Sequence, residues 1–153
     1  DINGDGIIEL PWSAAAPGYT GAGREEIRYF PEYRSLQEGK SRPVAVSCES
    51  IADGWRWILP ESLTALYRSG SLSLVRLAET REVVLFRYHG SLSDYGQEYL
   101  RLRVVAAADF PNGFEDPRYT LLATRGQFSY YTLLPPGSPL TVQQIEQGFS
   151  LLG

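Results

Sequence analysis

The chain has 153 residues, of which 43% are hydrophobic and 21% are charged, and this balance is typical of a soluble globular domain with one core. Its formal net charge is −4, Lys40 is its one lysine, and its arginines are interleaved with glutamates. The chain therefore lacks the basic patch that a nucleic acid or an anionic membrane requires. No apolar run approaches the roughly 20 residues that cross a bilayer, so no membrane span is predicted in this segment.

The first nine residues carry the most informative pattern in the sequence. Side chains with oxygen atoms alternate at Asp1, Asn3 and Asp5, Gly6 follows where the loop must turn sharply, and Glu9 closes the pattern. Calcium takes about six to eight oxygen ligands, and a loop with this spacing wraps such ligands around one ion. The pattern predicts a structural calcium site. The alternative is a turn rich in Asp, Asn and Gly that binds no metal.

The loop resembles the calcium loops of bacterial FG-GAP/VCBS-type repeats, which build extracellular β-propellers. It differs from an EF-hand, because Trp12 stands where an EF-hand has its bidentate glutamate. The resemblance ends near Trp12 and implies a secreted or surface-anchored bacterial protein in which the loop is structural. The ligands that it implies are Asp1, Asn3, Asp5, the carbonyl oxygen of Ile7, and Glu9.

Two units are predicted along the chain. Residues 1–23 are interpreted as the end of a calcium-loop repeat plus a linker rich in glycine and proline, and residues 24–153 as a single α+β domain. The chain opens inside the motif and contains no methionine, so we expect it to be a piece of a longer protein. Tyr29, Phe30 and Tyr33 lie in a polar stretch, so we expect them to be exposed and to form a binding surface.

Runs of β-branched and aromatic residues, separated by turn residues, predict a series of strands in the second unit. The predicted strands are 43–47, 55–59, 71–77, 82–88, 98–107, 119–124 and 128–134. The turn-prone residues 78–81 and 125–127 each predict a hairpin between the flanking strands. The sheet should therefore be mostly antiparallel.

Two helices are predicted beside these strands. Pro60 opens a short helix that ends at Arg68, since proline is tolerated at a helix start. Thr141 and Gln144 form a capping-box pair at the start of a C-terminal helix. Its apolar stripe consists of Val142, Ile145, Phe149 and Leu152. This stripe should pack on one face of the sheet, which gives an α+β fold.

From Trp55 onward the pattern resembles the uncharacterised C-terminal domains of large secreted or lipid-anchored bacterial proteins. At Trp57, at Pro60 and in the spacing of the last two strands it is also similar to the PsbP/Mog1-like α+β sandwich. That resemblance implies a binding or assembly domain and brings no active site.

Large aromatic side chains are expected to fill most of the core. Trp55 and Trp57 share a strand face, and Trp57 and Phe128 are predicted to be buried. Tyr130 and Tyr131 should face opposite ways. Cys48 is predicted to be a small core residue, since a lone cysteine forms neither an internal disulfide nor a zinc site.

Two catalytic arrangements can be written from the sequence, and neither is favoured. The one histidine, His89, lies close in the chain to Ser91, Ser93 and Asp94, but no nucleophile-elbow motif surrounds them. The segment 109–116 contains three acidic residues that would suit a hydrolase or a second cation site. They are Asp109, Glu115 and Asp116. Prolines and an Asn-Gly pair beside them favour a solvated loop instead.

The sequence as a whole predicts a non-catalytic extracellular domain for interaction or assembly, with a structural calcium-type loop. Its expected partner is a protein or a glycan at the bacterial cell surface. A carbohydrate-binding module that uses exposed Trp and Tyr rings is one alternative. A hydrolase of an undescribed class is the other.

Overall fold

The computed structural model describes residues 1–20, 29–94 and 96–153. The predicted boundary between residues 23 and 24 lies outside these described residues. Within them the chain forms ten β-strands and two α-helices. The strands are β1 (Glu9–Trp12), β2 (Glu32–Gln37), β3 (Lys40–Ser50), β4 (Trp55–Ile58), β5 (Leu72–Leu77), β6 (Glu82–Arg87), β7 (Glu98–Ala106), β8 (Tyr119–Arg125), β9 (Phe128–Leu133) and β10 (Phe149–Leu151). The helices are α1 (Glu61–Arg68) and α2 (Val142–Gly148).

The described strands form two five-stranded sheets, and the strand pairings within them are antiparallel. We call the sheet with the order β1-β2-β3-β4-β10 the first sheet, and the sheet with the order β5-β6-β7-β9-β8 the second sheet. The predicted hairpins β5–β6 and β8–β9 are both confirmed. The mostly antiparallel, β-rich fold with a helix near its C-terminal end is therefore confirmed at this level.

Both sheets contribute to one hydrophobic core. Trp55, Trp57 and Cys48 come from the first sheet, and Leu85 and Leu100 come from the second. The predictions that the two tryptophans share a buried face and that Cys48 is a core residue are confirmed. Burial raises the pKa of the Cys48 thiol, so this thiol stays protonated and unreactive at neutral pH.

Phe128 is 38% exposed, so the prediction that it belongs to the core is wrong. It is the first residue of β9, directly after the hairpin turn, and it pairs with Ala106 and Arg125 at the end of the sheet. The core position of this strand belongs to Tyr130, whereas Tyr131 faces the other way and contacts Phe114, as alternation predicts.

The C-terminal helix is shorter than predicted. Its capping box is present, because the Gln144 N–H donates to the Thr141 hydroxyl over 3.2 Å and the Thr141 N–H donates to the Gln144 side chain over 2.9 Å. The helix ends at Gly148, so the prediction that Phe149 and Leu152 continue its stripe is wrong. Phe149 instead opens β10, which pairs with β4. Ile145 is fully buried.

Gly148 lies where α2 comes close to β4. A β-carbon there would lie 2.5 Å from the Ile58 carbonyl oxygen and 3.0 Å from Nε1 of Trp57. We expect Gly148→Ala to lower the free energy of unfolding by about 2 kcal/mol or more, because the backbone of β4 cannot retreat without shifting the core. Chemical denaturation measures the change. Gly96→Ala is the control, since a β-carbon there meets nothing closer than 3.4 Å, and an equal loss in both variants would contradict the argument.

The segment 13–20, predicted to be part of a linker, is anchored to the domain. The Tyr19 hydroxyl donates to the Leu74 carbonyl over 2.7 Å, and the Ser73 hydroxyl donates to the Pro17 carbonyl over 2.7 Å. Ala16 and Tyr19 both belong to the core cluster. Because β1 also pairs with β2, the calcium-type loop is attached directly to the first sheet.

Candidate metal centre

The first eight residues form a loop in front of β1 whose amides point at its own carboxylates. The two carboxylate oxygens of Asp1 accept hydrogen bonds from the Gly4 N–H over 2.6 Å and from the Gly6 N–H over 2.7 Å. Oδ1 of Asp5 accepts from the Ile7 N–H over 2.8 Å. Gly4 and Gly6 have φ angles of +78° and +83°, which residues with a β-carbon rarely adopt. These glycines let the loop turn tightly enough for its carboxylates to converge.

Asp1, Asp5 and Glu9 form a compact carboxylate cluster. Each offers one oxygen atom, and the three atoms lie within 4.8 Å of one another. Asp1 and Asp5 are exposed, whereas Glu9 is buried. Like charges this close repel each other, so a cation between them would be stabilising. The structure therefore brings together three of the predicted ligands.

Asn3 and Ile7 complete the predicted ligand set. The Asn3 side chain contacts Asp5 with both its ends: Nδ2 donates to the Asp5 carboxylate over 2.9 Å, and Oδ1 accepts from the Asp5 N–H over 3.2 Å. The role of the Asn3 amide oxygen and the Ile7 carbonyl oxygen as metal ligands stays a prediction.

Glu9 connects the loop to the first sheet. It is the first residue of β1 and lies opposite Ser35 of β2. Its Oε2 accepts from the Ile2 N–H over 2.8 Å, but its Oε1 is buried and has no hydrogen-bond partner among the described residues. A buried carboxylate oxygen without a partner costs free energy. Coordination of a hard cation would supply the missing partner, so Glu9 fits the role of a calcium ligand.

Asp5 is ionised at neutral pH. The hydrogen bond from the Ile7 N–H, and then that from Asn3, lower the pKa of this carboxyl below its ordinary value. Since a lowered pKa delays protonation as the pH falls, Asp5 offers a full negative charge to a cation under physiological conditions.

Tyr29, Phe30 and Tyr33 do not form a common surface. Tyr29 is exposed, but Phe30 and Tyr33 are buried, so the prediction that all three are exposed is wrong. Phe30 lies in the core with its ring centroid 5.9 Å from that of Tyr67. The polar residues that suggested an exposed stretch belong to β2, a strand that the sequence reasoning missed.

Tyr33 belongs to a hydrogen-bonded network on the first sheet. Its hydroxyl donates to the Glu49 carboxylate, which also accepts from Nε of Arg56 over 2.7 Å and from the Ser47 hydroxyl over 2.8 Å. Burial of the ring, and then the contact with Glu49, raise the pKa of Tyr33 to about 12. Burial opposes ionisation of Glu49, but the bonds from Tyr33, Arg56 and Ser47 outweigh it and hold the pKa of Glu49 below its ordinary value.

We expect Tyr33 to ionise near pH 12 in the folded protein and near pH 10 in the unfolded chain. The folded state holds this proton more tightly, so its stabilising effect is complete below pH 10 and is lost as the pH rises towards 12. The difference in phenolate absorbance between the unsubstituted protein and Tyr33→Phe measures the titration. Tyr29→Phe, which removes the hydroxyl of an exposed tyrosine, controls for the loss of one tyrosine. A difference curve centred near pH 10 would show the network to be absent.

The two catalytic arrangements considered from the sequence gain no support from geometry. The Ser91 hydroxyl accepts from the N–H groups of Ser93 and Asp94, both over 3.1 Å, and no hydrogen bond among the described residues links His89 to this turn. Asp109 and Glu115 are exposed. Asp116, the third acidic residue of its segment, pairs with Arg118 over 2.8 Å.

An apolar ledge next to the loop of residues 1–8 was missed by the sequence reasoning. We give this name to Ile8, Leu10, Trp12 and Leu36, whose exposed fractions range from 54% to 76%. Leu10 and Trp12 alternate with Glu9 along β1 and so face the opposite side of the sheet from it. The alternation of Glu9, Leu10, Pro11 and Trp12 was visible in the sequence, but which side is covered depends on the rest of the fold.

Comparison with known proteins finds no relative: no family model, no curated protein and no solved structure matches this chain. The two resemblances in the sequence therefore rest on the residues that carry them. Neither described helix has the length and apolar character needed to cross a bilayer.

Proposed function

We propose that this chain is a non-catalytic extracellular domain for interaction or assembly, and that a calcium ion bound by Asp1, Asp5 and Glu9 fixes its edge strand β1. The observation that carries the proposal is the buried Glu9 oxygen without a partner, in a cluster of three converging carboxylates. Asn3 and the Ile7 carbonyl would add neutral oxygen ligands. A turn-rich loop of this kind suits calcium better than magnesium, which demands near-ideal octahedral geometry.

The exposure of the loop supports an extracellular location. Asp1 and Asp5 are open to water, which weakens their attraction for a cation, so the site should be of modest affinity. Extracellular calcium modules operate at about 10⁻⁴ to 10⁻³ M, a concentration that calcium reaches outside cells. The proposed setting is the outer surface or the surroundings of a bacterial cell.

The apolar ledge supports the interaction role. Exposed apolar patches beside a polar rim often mark contact surfaces, and Trp is enriched at them. We also infer that α2 packs against the first sheet at β4, away from the face of β1 and β2 on which Leu10, Trp12 and Leu36 are exposed. The proposed partner is a protein or a glycan at the cell surface.

Calcium titration of chelator-treated protein by calorimetry tests the metal site. Saturable one-site binding is expected for the unsubstituted chain and for Asp109→Ala, which removes an exposed carboxylate elsewhere. Binding should be lost in Asp5→Ala, because a charged ligand is removed. An unchanged isotherm in Asp5→Ala, or no saturable heat in any of the three proteins, would refute the proposed site.

Calcium is also expected to protect β1 from hydrogen exchange. This strand has four residues and, among the described strands, pairs with β2 alone, so removal of the ion from Glu9 should open it locally. The β1 amides that donate to β2 should exchange at least about tenfold faster in chelator, while those of β7 stay unchanged. Mass spectrometry of peptides from both strands makes the comparison. Equal acceleration in β7 would indicate global destabilisation instead.

The alternatives have their own tests. Trp55 and Trp57 are buried, so a carbohydrate-binding module with tryptophan stacking would have to use Trp12. Retention on insoluble polysaccharide that Trp12→Ala abolishes would favour this function. Turnover of a broad ester and glycoside panel that is lost in Asp109→Ala or Glu115→Ala would favour the hydrolase.

A further inference from the structure

A cluster of arginines lies on the face of the second sheet that points away from the core. Arg103 of β7 lies directly opposite Glu82 of β6, and residues opposite each other in antiparallel strands share a face. Arg101 is two residues from Arg103 and lies opposite Leu133 of β9, which in turn lies opposite Tyr119 of β8. Four neighbouring strands thus direct these side chains into one region.

Buried or half-buried carboxylates hold the guanidinium groups in place. Both carboxylate oxygens of Glu98 accept hydrogen bonds from Arg101, one from Nη2 over 2.6 Å and one from Nε over 3.0 Å. Glu82 lies between Arg101 and Arg103, with both ion-pair distances at 3.6 Å, and accepts from the Tyr119 hydroxyl over 2.8 Å. Such anchoring keeps the planar groups oriented, and an oriented guanidinium loses little entropy when it binds a ligand.

Aromatic rings fix Arg103 from the other side. Its guanidinium carbon lies 4.9 Å from the ring centroid of Phe114, 5.5 Å from that of Tyr119 and 5.8 Å from that of Phe110. Phe110 and Phe114 belong to the segment that the sequence suggested as an acidic loop. They cover Arg103 and leave a cleft of about 530 Å³ beside it.

The most exposed charged side chain of this cleft is a cation, although the three arginines here are balanced by Glu82, Glu98 and Asp116. The side chain of Arg118 is 71% exposed and that of Arg101 is 26% exposed, whereas that of Glu82 is 4% exposed. Glu98 and Asp116, which hold Arg101 and Arg118, lie at its edge as hydrogen-bond acceptors. Leu133, Leu134 and two prolines form an apolar wall. We call this site the arginine cleft.

We propose that the arginine cleft binds a small saccharide that carries a carboxylate, that is, a uronic acid. Nε and Nη2 of Arg118 donate to Asp116, and its Nη1 makes no hydrogen bond among the described residues, so the outer edge of this guanidinium can donate to a ligand carboxylate in a strong and directional pair. Sugar hydroxyls can donate to Glu98 and Asp116, and the apolar wall suits the C–H face of a ring. Clefts of about 300 to 1,000 Å³ accommodate ligands of this size. The proposal is independent of the calcium site, which lies on the other sheet.

Titration with sodium glucuronate, followed by calorimetry at constant ionic strength without added divalent cations, tests the proposal. Saturable binding is expected for the unsubstituted protein, with at least about tenfold weaker binding in Arg118→Gln, because one charged hydrogen-bonded contact is lost. Arg118→Lys should fall between them, since it keeps the charge and loses the paired donors. Arg42→Gln is the matched control, because Arg42 is exposed on the first sheet. Circular dichroism verifies that each variant is folded.

Glucose and sodium acetate separate the two parts of the ligand. Each should bind at least about tenfold more weakly than glucuronate, since glucose lacks the carboxylate and acetate lacks the ring. Equal binding of acetate would overturn the saccharide assignment, and equal binding of glucose would overturn the role of the arginines. The proposal also fails if glucuronate does not saturate, or if Arg42→Gln weakens binding as much as Arg118→Gln.

Discussion

The effect of Glu9→Gln on stability is expected to depend on calcium: the variant should lose no stability without the ion and be less stable than the unsubstituted protein with it. In calcium-free buffer the variant should be about as stable as the unsubstituted chain, because it removes a buried charge whose Oε1 has no partner and loses only a 3.5 Å ion pair with the partly exposed N-terminal ammonium. With calcium at about a hundred times its dissociation constant, the unsubstituted protein should gain about 2.7 kcal/mol, which the variant does not share. For a chain of this length that gain corresponds to a rise of roughly 5 to 10 °C in melting temperature. Thermal unfolding in chelator and in calcium measures both halves of the prediction.

This dependence on calcium distinguishes a metal ligand from an ordinary buried glutamate. If Glu9 supported the fold only through its bond to the Ile2 N–H and its ion pair with the N-terminal ammonium, the variant would be less stable by the same amount with and without calcium. Glu38→Gln is the matched control, because Glu38 is exposed in the turn between β2 and β3. Its melting temperature should follow that of the unsubstituted protein in both buffers.

The parts of the fold that could be predicted from the sequence are those set by local pattern. Strands β6 and β7 were predicted to within about a residue, because β6 is a short run of β-branched and other apolar residues, β7 alternates with a strand period, and turn residues flank them. The converging carboxylates of the N-terminal loop could also be predicted, since their spacing within nine residues already defines a calcium-type loop. Whether Glu9 is buried could not be read from that spacing, because its burial depends on β2.

The parts that were missed depend on partners distant in the chain. Strand β2 was missed because its sequence is polar, although its Glu32 is buried. The burial of Glu32 is tolerated because the Tyr67 hydroxyl donates to it over 3.2 Å and Arg68 pairs with it over 3.3 Å. Phe149 fits a helical stripe as well as it fits a strand. Phe149 adopts the strand conformation because it pairs with Trp57 of β4. Tertiary context of this kind overrides local propensity.

The arginine cleft shows the same dependence on tertiary contacts. Phe110 and Phe114 lie among turn residues, and turn chemistry alone favoured a solvated loop. In the structure, the ring centroid of Phe114 lies 4.8 Å from that of Tyr131 in β9, and Phe114 also covers Arg103 of β7. Alternation along β7 predicts which face carries Arg103, but it cannot identify the segment that folds over that face.

Glu82→Gln is expected to cause the largest loss of stability among substitutions of the charged residues discussed. The Glu82 side chain is 4% exposed and is the shared partner of Arg101 and Arg103. Its neutralisation therefore leaves positive charge without this carboxylate in a site that is largely shielded from water. Breaking a buried ion pair costs about 3 to 5 kcal/mol, and the partial exposure of both arginines reduces this to about 2 to 4 kcal/mol. Chemical denaturation measures the change. Glu98→Gln is the control: its pair with Arg101 is more exposed and should contribute about 1 kcal/mol or less.

A second substitution tests whether the arginine charge left without Glu82 causes the loss of stability. Arg103→Met removes that charge and places an apolar side chain among Phe110, Phe114 and Tyr119, where thioether sulfur packs well against rings. Added to Glu82→Gln, it should restore at least about 1 kcal/mol, since replacing a buried pair by apolar groups is often neutral. If the two losses simply add, the carboxylate acts through its bond to the Tyr119 hydroxyl rather than through the arginines. Recovery in the double variant would instead show that the aromatic segment 110–119 is shaped to cover a side chain, and that Glu82 is needed there because that side chain is charged.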